Sequence, residues 1–257
     1  MNTKILLRKL ANRFPKKYAK FYHDHVGLMT GKLPEEVHSI VLCLDFDYQV
    51  LPLIKENKPD LIITHHPFIY GTKAKVFKRD KLKEQLSNEI DALGVPVYSM
   101  HTNFDSGKDG MNDALAEALG LENVYQPAEK DLCMRIGELK KVMPIEEFAR
   151  YAKARLNVDY GLLIHEGGDL IKKVGIVGGG GSRDWFIARD EGCDIYISGD
   201  APHHVRRAIV NEHFNYLDVP HEVERIFMPQ MKKILLSLDP TLEILMVDHE
   251  EMPEVIQ

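Results

Sequence analysis

Short apolar runs alternate with amphipathic stretches along nearly the whole chain. Runs at 40–44, 61–64, 96–100, 134–138, 160–164, 174–177, 195–198, 214–218 and 243–246 read as strands. Between them, apolar residues return at helical spacing over 3–13, 48–57, 80–92, 112–119, 145–156, 182–191, 202–212 and 221–237. Strands separated by helices of this kind predict βαβ units and mostly parallel sheets. Ser182 stands where a helix N-cap is needed, and Pro144 and Pro202 suit first-turn or pre-helix positions. The segment 122–131 is polar, carries Pro127 and lacks periodicity, so it is expected to connect two halves. The pattern thus predicts an α/β protein of two similar three-layer lobes, residues 1–125 and 126–257, with a site in the crevice between them.

Composition narrows the class. At 257 residues the chain can bury a sizeable core, and a net charge of −6 with both signs interspersed argues against a nucleic-acid partner. The first residues, MNTKILLRKLANRF, hold an apolar run too short for a signal peptide or a membrane span. Cys43, Cys133 and Cys193 form no CxxC pair and no disulfide framework, so a cytoplasmic location is expected. The one unusual feature is twelve histidines, the residue most often used to hold metal.

Several of these histidines follow predicted strands, at the edge where open parallel sheets place their ligands. His65 and His66 come directly after the apolar run 61–64, and Pro67 cannot continue the ladder. His101 follows the next strand, and Asp105 is expected in the loop beyond it. His101 could ligate a metal itself or orient Asp105. After the strand at 214–218, His221 and Glu224 are three apart and share a face if the segment is helical. His65, His66, Asp105, His221 and Glu224 therefore make a candidate ligand set. Imidazoles with carboxylates able to bridge suit two divalent ions, with Zn, Mn or Fe favoured over Mg or Cu(I). Asp200, His203 and His204 follow a fourth strand and are expected to face the same crevice.

The glycine run Gly178–Gly181 lies between a strand and a helix but lacks the third glycine of GxGxxG, since Arg183 stands there. It is either a tight turn or a loop whose N–H groups hold an anion. No GxSxG element supports a serine hydrolase.

The motifs THHPF (64–68), HTNFD (101–105), DGMNDALAEALGL (109–121), VGIVGGGGS (174–182), ISGDAPHH (197–204) and DVPHEVERIF (218–227), in this order and spacing, resemble the Nif-three-like family. Bacterial members of that family are often labelled GTP cyclohydrolase 1 type 2 homologues. The resemblance implies two interleaved α/β lobes around a dinuclear metal centre and a toroidal homohexamer. By motif it assigns the ligands to His65, His66, Asp105, His221 and Glu224, and places His101 and His204 at positions lining the site, where they would move protons. Three features differ from the family pattern: Pro220 replaces a glycine before His221, His25 replaces an asparagine in DHVGL (24–28), and the chain has the length of the short form without an inserted middle domain. The implied activity is metal-dependent hydrolysis of a nucleotide or another phosphate-containing small molecule. The alternative is a non-enzymatic metal-binding scaffold or regulatory module.

Overall fold

The structure, a computed structural model, describes residues 1–127 and 131–256. In chain order the first elements are α1 (Thr3–Arg13), α2 (Lys16–Phe21), β1 (Gly27–Thr30), β2 (Ser39–Cys43), α3 (Leu51–Asn57), β3 (Leu61–Thr64), α4 (Lys73–Arg79), α5 (Lys81–Leu93), β4 (Val97–Ser99) and α6 (Thr102–Ser106). Then come α7 (Met111–Ala118), β5 (Glu122–Tyr125), β6 (Arg135–Pro144), α8 (Ile145–Arg155), β7 (Leu162–Ile164), β8 (Leu170–Ile176), α9 (Trp185–Asp190), β9 (Ile195–Ser198), α10 (His203–Asn211) and β10 (Asn215–Asp218). A 3₁₀ segment, His221–Ile226, leads into α11 (Phe227–Leu238) and β11 (Glu243–Met246).

The chain divides into two compact units, the first made of Met1–Lys108 with Phe227–Glu250 and the second of Asp109–Ile226 with Glu251–Gln257. The first unit has a five-stranded sheet in the order β1-β4-β3-β2-β11. Its four neighbours β4, β3, β2 and β11 are parallel, and only β1 runs antiparallel, at the edge. All four residues of β3 are buried, as a continuous apolar run covered on both faces requires. Val41, Ile62 and Val97 from three adjacent strands pack with Ile54, Leu86 and Ile90 in one core cluster. Burying each such side chain stabilises by roughly 1.5–3 kcal/mol.

The second unit has a six-stranded mixed sheet, β5-β6-β8-β9-β10-β7. Its centre, β8, β9 and β10, is parallel, and the flanking pairs are antiparallel. Asn215, fully buried at the start of β10, ties this sheet to the neighbouring loop. Its Oδ1 accepts from Glu166 N and Gly167 N at 3.1 and 2.8 Å, and its Nδ2 donates to Gly168 O and Asp194 O at 2.8 and 3.1 Å.

Several element ends differ from the sequence pattern for identifiable reasons. The helix expected over 48–57 starts at Leu51, because the Asp47 carboxylate accepts from Gln49 N and Val50 N and holds a turn there. The helix expected over 221–237 splits at Phe227. Pro229 has no N–H to give the Arg225 carbonyl, and its ring opposes an α-helix through that residue, though it fits the first turn of α11. In the stretch expected to connect the halves, 122–125 form β5, with every residue exposed and hence no alternation to read. Residues 128–130 of that stretch lie outside the described residues. Among the described residues no cysteine forms a disulfide, and no helix is long and apolar enough to cross a membrane.

Replacing Asn215 with Ala removes four hydrogen bonds made by a fully buried side chain to partly buried backbone groups. It should destabilise the fold by about 1–3 kcal/mol, read as a lower urea midpoint with the slope unchanged.

Candidate metal centre

The register of the first sheet explains why the histidines gather. Cys43 pairs with Thr64 across β2 and β3, and Thr64 pairs with Ser99 across β3 and β4. Two residues beyond these three level positions stand Asp45, His66 and His101, one row across three parallel carboxyl ends. The ladder continues past β3, since His65 N donates to Cys43 O and His66 N to Leu44 O, at 3.1 and 3.0 Å. Both imidazoles therefore leave a backbone pinned on the sheet, and Pro67 ends the pairing.

Each ring in this row is held through Nδ1. His66 Nδ1 lies 2.6 Å from Asp45 Oδ2, His101 Nδ1 lies 2.7 Å from Asp24 Oδ2, and His65 Nδ1 lies 3.1 Å from the Met100 carbonyl. Carboxylates and carbonyls only accept, so each Nδ1 carries the hydrogen and Nε2 presents its lone pair. One ligand atom from each of His65, His66 and His101 falls within a 4.8 Å group. His65 is fully buried, with its Nε2 3.6 Å from Oδ1 of the buried Asp105. Asp105 lies in the short helix α6 and not in an open loop, its N–H bonded to the His101 carbonyl. Behind His65 stands the Phe227 ring, which in turn packs on Phe104 and so fixes the imidazole plane.

Charge follows the hydrogen bonds. Burial works against the Asp24 carboxylate, yet its bonds from His101 and Thr102 outweigh that and lower its pKa to about 2. Burial likewise opposes charge on Asp45, and the His66 bond again wins and lowers it. Both carboxylates stay ionised, which keeps the hydrogen on Nδ1 of their partners.

The second unit repeats the Nδ1 anchor, although here Nε2 also faces a carboxylate and so carries a hydrogen as well. His221 Nδ1 lies 2.6 Å from Asp200 Oδ2, and its Nε2 lies 3.1 Å from Oε2 of the buried Glu224. In a 3₁₀ segment residues three apart eclipse, so His221 and Glu224 meet despite the proline before them. The Glu224 bond, against the cost of burial and with help from Asp200, raises His221 to about 9.

The glycine run serves this pair. Gly179 has a φ of +63°, and a Cβ there would overlap the Glu224 carboxylate and stand 3.2 Å from His221 Nε2. Its carbonyl accepts from Gly199 N and Ser198 Oγ at 2.7 and 3.1 Å, and Gly178 N donates to the buried Asn112 side chain at 2.8 Å. Gly181 N also donates to the Gly179 carbonyl, at 3.0 Å, which closes a turn pressed against Glu224.

Of the residues singled out from sequence, His65, His66, Asp105 and His101 come together in the first unit, and His221 with Glu224 in the second. His203 and His204 open α10 as exposed residues, and neither joins a ligand group among the described residues. Sequence reasoning left Asp45 unmentioned and gave no anchoring role to Asp24 or Asp200. Asp45 follows the run 40–44 just as His65 follows 61–64, which was the available signal.

A model of the family described as Duf34/NIF3 (NGG1p interacting factor 3) matches residues 1–253. A Clostridium perfringens protein named GTP cyclohydrolase 1 type 2 homolog is 30% identical over 237 residues, which is 90% of this chain and 90% of its own. The crystal structure of a Bacillus cereus protein related to NIF3 superposes with a TM-score of 0.87 at 19% identity, covering 100% of this chain and 99% of that one. Staphylococcus aureus protein SA1388 gives 0.86 at 21% identity, with 99% of each chain covered. At these identities the two structures establish a shared fold.

Loss of the carboxylate in Asp45→Ala should weaken zinc binding by roughly 10- to 100-fold in competition with a chromophoric chelator, with far-UV circular dichroism unchanged. Gly179→Ala should lower metal content as well, although residue 179 offers no ligand atom, because the Glu224 carboxylate must shift; elemental analysis of the purified variant reads this directly.

Proposed function

Because the chain belongs to the DUF34/NIF3 family, we propose that it holds two divalent ions, Zn, Mn or Fe, through His65, His66, Asp105, His221 and Glu224 and hydrolyses a nucleotide or other phosphate-containing small molecule. The observation that carries this reading is the anchoring of His65, His66, His101 and His221 through Nδ1 to a carboxylate or carbonyl. Acceptors of that kind fix the tautomer and raise the basicity of Nε2, which a merely structural histidine does not need. The buried carboxylates Asp105 and Glu224 supply the anionic oxygens that such a donor set requires. The name of the Clostridium perfringens relative favours hydrolysis of a nucleotide ring over other chemistries.

A pair of divalent ions supplies Lewis acidity and water acidified to near neutrality. The chain supplies the rest. Asp24 and Asp45 hold His101 and His66 in place, so neither ring reorganises as charge develops. His101 Nε2 takes and returns a proton while Asp24 stabilises the imidazolium, because the aspartate stays ionised. Buried Phe104 and Phe227 keep water from the rear of His65. The exposed His204 has no part in this scheme.

Elemental analysis of purified wild type should find about two ions per chain, and Asp105→Ala combined with His66→Ala should lose them. Nucleotides and phosphoesters screened against metal-replete and chelated protein should show turnover only with metal. Full occupancy without turnover across such a panel would leave a metal-binding scaffold, whereas absence of metal from the wild type would remove the centre altogether.

A further inference from the structure

The DHVGL motif at 24–28 has a second face that the histidine row does not use. Asp24 turns its carboxylate toward His101 and Thr102, while the residues around it wall a cavity of about 350 Å³ in the first unit. That volume is within the range of small-molecule sites. Lys16 and Lys20 from α2 and Lys73 from the start of α4 line it, together with His25. Met29 and Ile69 contribute apolar wall.

The charges here are not balanced locally. Among the described residues no carboxylate pairs with Lys16 or Lys20. Lys73 donates to Thr30 Oγ1 at 2.7 Å and lies 3.9 Å from Asp91. Asp24, the only acid in the lining, accepts at Oδ2 from His101 Nδ1 and Thr102 Oγ1, at 2.7 and 2.6 Å, and at Oδ1 from His25 N at 2.7 Å, so its oxygens are already occupied. The cavity is therefore cationic in a chain whose net charge is −6.

One of the ammonium groups lies against the start of β1. Gly27 has a φ of +110°, and a Cβ at that position would stand 2.6 Å from Lys16 Nζ. The positive φ favours glycine here, and Lys16 Nζ lies in the space its missing side chain leaves.

We propose that this cavity binds the phosphate of a phosphorylated small molecule, with Lys16 and Lys20 as the principal contacts, Lys73 as a third, and the carbon skeleton against Met29 and Ile69. Asp24 would then be shared between the anion site and the His101 side chain, so a ligand seated there lies beside the histidine group. That the ligand is a substrate rests on the hydrolytic reading above; anion binding itself does not.

Inorganic pyrophosphate is the probe, titrated by calorimetry into wild type, Lys16→Gln/Lys20→Gln, Lys73→Gln and Gly27→Ala, with metal content measured on the same samples. The double variant should lose at least about tenfold in affinity, and Gly27→Ala should lose affinity with all lysines present. Metal content should equal that of the wild type throughout, and wild-type affinity should fall as salt is raised. Absence of pyrophosphate binding by the wild type, or equal binding by wild type and double variant, overturns the proposal. Lysine-dependent binding in a protein that carries no metal upholds the anion site while removing the metal-dependent hydrolase. Full metal occupancy with lysine-independent binding removes the anion site and leaves the metal centre standing.

Discussion

An imidazole has two nitrogens, and the hydrogen bond made by one decides what the other can do. In this protein that bond is made at Nδ1 in His65, His66, His101 and His221, to Met100, Asp45, Asp24 and Asp200 in turn. Chemistry at Nε2 depends on it, since an unanchored ring would rotate and change tautomer. The anchors come from other strands or loops than the rings they hold, so the site is only as well ordered as the sheets beneath it. This is why the fully buried β3, whose Thr64 hydroxyl donates to the His66 carbonyl at 2.8 Å, matters to the rings that follow it.

Parallel pairing makes such anchoring economical. When neighbouring parallel strands are in register, equal offsets past their ends stand level, and one row can hold an acceptor and two donors. Asp45, His66 and His101 form such a row. An antiparallel sheet would send alternate strand ends to opposite edges and could not build it from three neighbours. The second sheet keeps its parallel pairing at the centre, β8, β9 and β10, where Gly179, Asp200 and His221 emerge, and confines antiparallel pairing to its flanks.

Much of this was legible from local pattern. The apolar runs of β3, β9 and β10 and the histidines just past them could be read directly, because a buried parallel strand is a continuous apolar word followed by polar punctuation. Asp45 was not legible as a partner of His66, because its role depends on which strand neighbours which, a fact no local window holds. The expected loop at Asp105 proved to be helix α6, since TNFDS has too few apolar residues to show a period. Strand β5 left no alternation because both its faces are exposed. Gly179 was ambiguous for another reason. The sequence allowed a tight turn or an anion-holding loop, and the closeness of Glu224, a contact distant in sequence, was not legible in it.

The path of the chain through the first unit bears on how the protein is made. Strand β11 belongs to the first sheet and pairs with β2, but it is synthesised after the whole of 109–226. Until residue 246 has left the ribosome, β2 presents an unpaired edge of the sequence SIVLC, whose last four residues are buried in the finished fold. Exposed apolar edges of this kind recruit other chains. The nascent protein therefore passes through a sticky interval whose length is set by the intervening segment. A chaperone that shields 40–43 during that interval, or a slower passage through the C-terminal codons, would change the yield of folded protein without altering any contact in its final structure.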